Sequence, residues 1–296
     1  MQMTTAAAAP AVPSQSPHTW SLAVVCFAAG AAALAMRWIG DDLLRFGCGL
    51  VLCALFFGTA FVLRRAADTR WPLAFAFGVF ALVQLLNNSL PAFVAVQVLH
   101  APPTDGDPLA GTVSASVAVQ LLETAIAILP VVVLTLLSGQ RLESIYLSGG
   151  TSWRWLLAAI GFFVVLCVFV ATRGAQRLVP DNAPFSLSLA PALLLVAISN
   201  GFEEEVLFRG LFLQKYTALF GARLANLVQA LVFTFAHLGI TYSSSTTVFL
   251  VLAVFPLAIA TGYLMRKTNS VLVPSIVHAA LDVPIYLILL TASSGV

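Results

Sequence analysis

This sequence is short of charge: Asp, Glu, Lys and Arg together make up 9% of its 296 residues, where a soluble domain carries about one quarter. Apolar residues fill 60% of it and the mean hydropathy is +0.99, so water is not the main solvent against which the chain folds. The net charge of +2 is too small, and the basic residues too scattered, for a nucleic-acid surface. Cysteine is sparse as well. Cys26, Cys48, Cys53 and Cys167 all lie in apolar runs, without the close Cys or Cys/His spacing of a structural zinc site or a disulfide framework, and they read as packing residues. There is no HExxH, which excludes the arrangement of two zinc ligands and a base on one helix. No internal repeat is visible, which weakens a transporter built from two related halves. The first 18 residues, MQMTTAAAAPAVPSQSPH, lack a basic n-region and are broken by Pro10, Pro13 and Pro17, so they read as a disordered tail rather than a cleavable signal.

Long apolar runs are what the sequence has in abundance. A helix needs about 20 apolar residues to cross the hydrocarbon core, and candidate spans fall at 20–38, 43–64, 71–99, 113–138, 152–172, 187–213, 222–241, 246–266 and 270–292. Lipid cannot satisfy backbone N–H and C=O groups, and runs this uniformly apolar do not alternate as barrel strands do. The expected fold is therefore all-α, a polytopic transmembrane bundle of about eight or nine spans. The count turns on 71–99, where Asn87, Asn88 and Pro91 predict a kink or a re-entrant piece. Lys and Arg in short loops set orientation. Arg64, Arg65 and Arg70 follow the second span, Lys215 and Arg223 the sixth, Arg266 and Lys267 the eighth, so these loops are expected in the cytoplasm. The connections 101–108, acidic, and 239–247, uncharged, suit the opposite side; Arg173 and Arg177 run against the pattern.

An ionisable side chain inside a span costs about 2.5–3.5 kcal/mol on insertion scales, so it persists mainly where it faces a cavity or a partner. The run ALLLVAISNGFEEEVLFRGLFLQKY carries Glu203, Glu204, Glu205 and Arg209 between apolar turns. Glu205 and Arg209 are four apart with the acid first, the favourable order for an ion pair on one helix face. Glu204 points about 100° away around the helix, with Phe208 rather than a base at i+4, and is the carboxylate left for a partner on another helix. Such a group suits general-base work. The competing reading is a solvated span end with Arg209 among headgroups. Two later spans carry polar groups of their own. His237, four after Phe233, lies near a span end, where packing or interfacial anchoring is the ordinary role. His278 and Asp282 are four apart in mid-span and share a face, which packing alone explains poorly. A free carboxylate, two imidazoles and a second acid on three late helices can hold and deprotonate a water or ligate a metal. Either is hydrolytic chemistry. Glu123, in an earlier span without an obvious partner in sequence, reads as a polar spot near a cavity.

The three clusters together match an ordered set of motifs: EExxxR as Glu204, Glu205 and Arg209, FxxxH as Phe233 and His237, and HxxxD as His278 and Asp282. They resemble those of the CPBP family of intramembrane proteases, the CAAX-protease, bacteriocin-processing or Abi-type family, over residues 190–290. The chain then divides into three regions: a tail at 1–18, N-terminal transmembrane helices at 19–180 and, as the resemblance implies, a catalytic transmembrane core at 181–296. It implies a membrane-embedded cavity open to the cytoplasmic side and an endopeptidase acting on membrane-associated peptides, prenylated CAAX-type proteins among them. Glu204 would activate water with His237 as partner base, Glu205 and Arg209 would support them, and His278 with residue 282 would stabilise the tetrahedral oxyanion. The prenyl-protein branch has Asn where this chain has Asp282, a form of bacterial relatives, for which the bacterial inner membrane is the expected location. Asn donates a hydrogen bond at any pH and Asp only when protonated, so Asp282 is open to other roles: orienting His278, or ligating a metal with Glu204, His237 and His278. Zinc is the divalent ion such a set would take, and the sequence leaves metal-dependent and metal-free mechanisms open. The alternatives are a non-catalytic immunity or binding protein on the same fold and, less favoured, a proton-coupled transporter.

Overall fold

The computed structural model describes residues 17–97, 112–147, 150–174, 187–239 and 246–293, and every regular element among them is helical. The expected N-terminal tail lies outside the described residues except for its last two, as do the 101–108 loop, Arg177 and most of 239–247. The helices are α1 (Pro17–Ala35), α2 (Asp42–Arg65), α3 (Trp71–Asn87), α4 (Leu90–Gln97), α5 (Val113–Leu137), α6 (Trp153–Phe169), α7 (Ala190–Glu204), α8 (Leu213–Ala236), α9 (Thr246–Phe249), α10 (Phe255–Thr268) and α11 (Leu272–Ser293). Seven described helices are long and apolar enough to cross a membrane. The remaining two runs expected as spans hold α3, a shorter apolar helix of 17 residues, and α7, whose charges set it apart.

Local chemistry sets the ends of these helices. Asp41 caps α2 by accepting from the Leu44 amide at 2.7 Å, and Thr112 caps α5 by accepting from Ala115 at 3.2 Å, each satisfying an N–H that has no intrahelical partner. The kink expected near Asn87 is a full break: α3 ends there and α4 starts at Leu90, with Pro91 in its first turn, where the missing N–H is harmless. Gly221 breaks α8. Its φ of 75° and ψ of 166° lie outside helical space, in a region that costs a side-chain-bearing residue dearly, and the segment becomes a short helix to Phe220 followed by a longer piece to Ala236.

The buried core runs through α1, α3, α5 and α8 and the turn after α7, while Leu43, Leu137, Val165 and Leu252 point outward, as lipid-facing residues do. At the centre, α7 packs against α11 and α5, α11 also against α6 and α10, and α8 against α1 and α10. Three connections expected on one side of the membrane meet at one end of this bundle. Arg70, Ser144 and Lys215 line one cavity, and Val271 donates to the Tyr146 carbonyl at 3.1 Å, which brings the Arg266–Lys267 turn alongside. The tight connection after α1 sits at the other end, where Trp38 meets Phe235 edge-on with ring centroids 5.3 Å apart and Arg37 bonds the Leu238 carbonyl.

Candidate active site

Helix α7 carries the acidic cluster, and a missing side chain lets it reach α11. A Cβ on Gly201 would stand 2.7 Å from the Ala279 amide nitrogen and 2.9 Å from the Ser275 carbonyl. Only glycine permits this backbone contact, as small residues do between membrane helices generally. It aligns Glu204 and Glu205 with His278, one helix away. Past Glu204 the helix loosens into a π-helical turn, Glu205–Gly210, a device frequent at functional sites.

The carboxylates of Glu204 and Glu205 grip one imidazole from two edges. His278 Nδ1 lies 2.8 Å from Glu205 Oε1, and Nε2 lies 3.3 Å from Glu204 Oε2. A carboxylate accepts, so Nδ1–H is the donor to Glu205 and Nε2 faces Glu204. On an ideal α-helix these neighbours would diverge; here both reach the same ring. Asp282 Oδ1 stands 3.8 Å from the same Nε2, and its Oδ2 accepts from Asn200 Nδ2 at 3.0 Å. The contact that holds His278 in orientation is therefore Glu205, with Asp282 beside the other nitrogen.

Arg209 NH1 lies 3.2 Å from Glu205 Oε1, and both side chains are 0% exposed. This overturns the reading of the acidic stretch as a solvated span end. The guanidinium lies over the Phe233 ring, 3.8 Å from its centroid, a cation–π contact strengthened by desolvation. The same ring stands 4.5 Å from the His237 ring and meets His278 edge-on at 5.6 Å. The phenylalanine of FxxxH is thus a floor under three polar groups. His237 closes the C-terminal end of α8, its Nδ1 2.9 Å from the Phe233 carbonyl. A carbonyl can only accept, so Nδ1 carries the hydrogen, and in the neutral ring Nε2 is left with its basic lone pair.

Glu204, His237, His278 and Asp282 line one cavity of about 580 Å³, with Asn200 on the same wall. Its other walls are apolar, with Phe249, Leu252, Leu257, Leu281 and Ile285 among them. The cavity extends from Glu204 toward His237, Phe249 and Tyr286, away from the end where the basic loops gather. The expected cytoplasmic opening and the expected cytoplasmic position of those loops therefore exclude each other. The four candidate metal ligands meet here, yet among the described residues no three His, Cys, Asp or Glu side chains are disposed to hold one ion. The arrangement does not fit zinc, which takes three or four such ligands at bonding distance.

One contributor was not singled out in the sequence, and another was named without a role. Asn200 sits one turn before Glu204; an i, i+4 search from Glu204 backward would have found it. Glu203, buried on another face of α7, accepts from Gln120 Nε2 at 3.2 Å and Thr124 Oγ1 at 3.0 Å, and Gln120 accepts from the Tyr286 hydroxyl at 3.1 Å. Gln120 and Thr124 flank Glu123 on α5. The spot noted around Glu123 is thus part of a buried network joining α5, α7 and α11.

Residues 186–284 match the family model described as type II CAAX prenyl endopeptidase Rce1-like. No curated protein and no solved structure matches the chain. The matched stretch holds all three motifs and every residue around His278, and it lies in a protein whose long apolar helices make it integral to the membrane. In this α7–α11 stretch, residues 186–284, the chain is similar to the CAAX-type intramembrane proteases, the family that its three motifs resemble.

Proposed function

We propose that the protein is an endopeptidase that hydrolyses a peptide bond within the membrane, using a water activated by Glu204 and oriented by His237. The observation that carries this is the pairing, in one largely apolar cavity, of a carboxylate with a histidine whose Nδ1 is committed to a carbonyl. Glu204 takes a proton from water while His237 Nε2 accepts a hydrogen bond from it, and the hydroxide oxygen bonds to the scissile carbonyl carbon. With both ring nitrogens protonated, His278 keeps Nδ1–H on Glu205 and donates Nε2–H to the oxyanion, joined by Asn200, whose amide has two hydrogens and gives one to Asp282. Glu204 then returns its proton to the amide nitrogen as the C–N bond breaks, leaving a carboxylic acid and an amine. Asp282 positions Asn200, so the amide donor that HxxxN supplies on α11 comes here from α7.

The apolar walls, with Leu252 72% and Leu281 37% exposed, suit a substrate whose flanking segment is itself apolar or lipid-modified. The family description names CAAX prenyl substrates, and a farnesylated C-terminal peptide is the first class to assay, beside an unmodified membrane peptide. The test is cleavage of both by the purified wild type and Glu204→Gln, with metal content measured on the same samples. Activity lost in the variant supports the proposal. Equal activity in both overturns it. Tight peptide binding without cleavage in the wild type would favour the non-catalytic reading, and activity that follows bound metal would replace the metal-free step.

A further inference from the structure

At the end of the bundle where the basic loops meet, a second cavity of about 330 Å³ opens between the start of α3, the connection after α5 and the short helix before Gly221. Six of its lining residues are polar: Thr69, Arg70, Gln140, Ser144, Gln214 and Lys215. Two are cations and none of the lining residues is an acid. Arg70 is committed, bonding Asp68 through Nε and NH2 at 3.0 and 2.6 Å, and it holds the Asp68 carboxyl down to about 2. Lys215 is different. Its ammonium reaches only the Ser144 carbonyl, at 3.5 Å, and makes no ion pair among the described residues. The Ser144 hydroxyl beside it is buried without a hydrogen-bond partner. Gln140 and Gln214 each give one amide hydrogen, to the Ser138 hydroxyl and the Glu143 carbonyl, which fixes the walls.

A partly buried cation without a counter-charge, next to an unpaired hydroxyl, is an anion site. Its depth is set by the flanking aromatic Trp71, whose ring carries the Arg64 guanidinium at 4.8 Å; Trp and Arg together mark the headgroup level. Basic pockets between helices at that level bind the phosphates of anionic lipids. We propose that this cavity binds a phosphate-bearing anion, with Lys215 as its principal charge, Ser144 as a hydroxyl donor and the headgroup of an anionic phospholipid as the source. The site is separate from the catalytic cavity and does not depend on the protease reading.

Binding is measured on the full chain in detergent, by native mass spectrometry and thermal unfolding, with phosphatidylglycerol, phosphatidylcholine and inorganic phosphate as separate probes. Phosphatidylglycerol retained in preference to phosphatidylcholine and raising the unfolding temperature, with affinity about tenfold to a hundredfold lower in Lys215→Gln and restored in Lys215→Arg, supports the headgroup site. Phosphate alone giving the same Lys215-dependent protection supports the anion site and assigns its source to free phosphate. Should Lys215→Gln fail to fold, Ser144→Ala reads the same site with the charge intact, and it is expected to weaken phosphatidylglycerol selectively. Equal response to the two lipids with none to phosphate, or a phosphatidylglycerol effect undiminished in either variant, would overturn the proposal.

Discussion

Glu205 and Arg209 form the ion pair on which the other polar side chains rest, and its burial makes each partner depend on the other. Removing one charge of a fully buried pair strands the other, at a cost of about 3–5 kcal/mol, so Arg209→Met is expected to unfold at markedly lower temperature while releasing the hold on His278. Phe233→Leu keeps the volume roughly and removes the ring face under the guanidinium. A loss of about 2 kcal/mol is expected, read by thermal or denaturant unfolding in detergent; an unchanged midpoint would mean that the cation–π contact contributes nothing. For Asn200 the prediction is kinetic. Asn200→Leu removes one oxyanion donor and should lower kcat about a hundredfold to a thousandfold with KM little changed, whereas a role in substrate binding would raise KM instead. The Glu205–Arg209 pair was legible in the sequence because its partners are one helical turn apart. The Asn200–Asp282 bond was not, because the two residues are 82 positions apart and nothing local marks an asparagine as the mate of a distant aspartate.

Helix α7 works by its deviations from a regular α-helix. Gly201 lets it touch the α11 backbone, and the π-helical turn that follows brings two adjacent carboxylates to one imidazole. Neither device leaves a periodic trace: an isolated glycine in an apolar run reads as mild helix weakening, and a π turn has the composition of its neighbours. Gly201→Val should push α7 from α11, costing about 1–3 kcal/mol by overpacking and abolishing cleavage, since the carboxylates would leave His278. Full activity in that variant would show that the close approach is incidental. The break at Gly221 has a backbone cause. Gly221→Ala should cost about 1–2 kcal/mol, the penalty of a side chain at positive φ, with cleavage retained in whatever fraction folds. The helices themselves were legible, each of the nine apolar runs holding a helix among its described residues, because lipid enforces backbone pairing within each run. The break between α3 and α4 was anticipated as a kink from Asn87, Asn88 and Pro91.

At the scale of the molecule, charge and cavity lie at opposite ends. Arg64, Arg65, Arg70, Lys215, Arg223, Arg266 and Lys267 belong to connections that meet at one end, the end that the positive-inside rule leads one to expect in the cytoplasm. On that expectation the cavity is to face the extracytoplasmic half of the bilayer. Gly40 and Gly150 are exposed at opposite ends with open space at their Cβ positions, so Gly40→Cys and Gly150→Cys can report sidedness to an impermeant maleimide in intact cells. Labelling at position 40 alone is expected; labelling at 150 alone would put the cavity on the cytoplasmic side, as the family resemblance implies. The sequence carried both expectations without conflict because motifs and loop charges do not say how deep in a helix a side chain lies.

The central claim is that Glu204 makes water attack a peptide bond. It is tested most directly by incubating a farnesylated C-terminal peptide and an unmodified membrane peptide with wild type and Glu204→Gln in water enriched in heavy oxygen, then weighing the products. The account predicts one heavy oxygen in the new carboxylate with the wild type and a rate about a hundredfold to ten-thousandfold lower in the variant. Heavy oxygen incorporated at the wild-type rate by Glu204→Gln would contradict it.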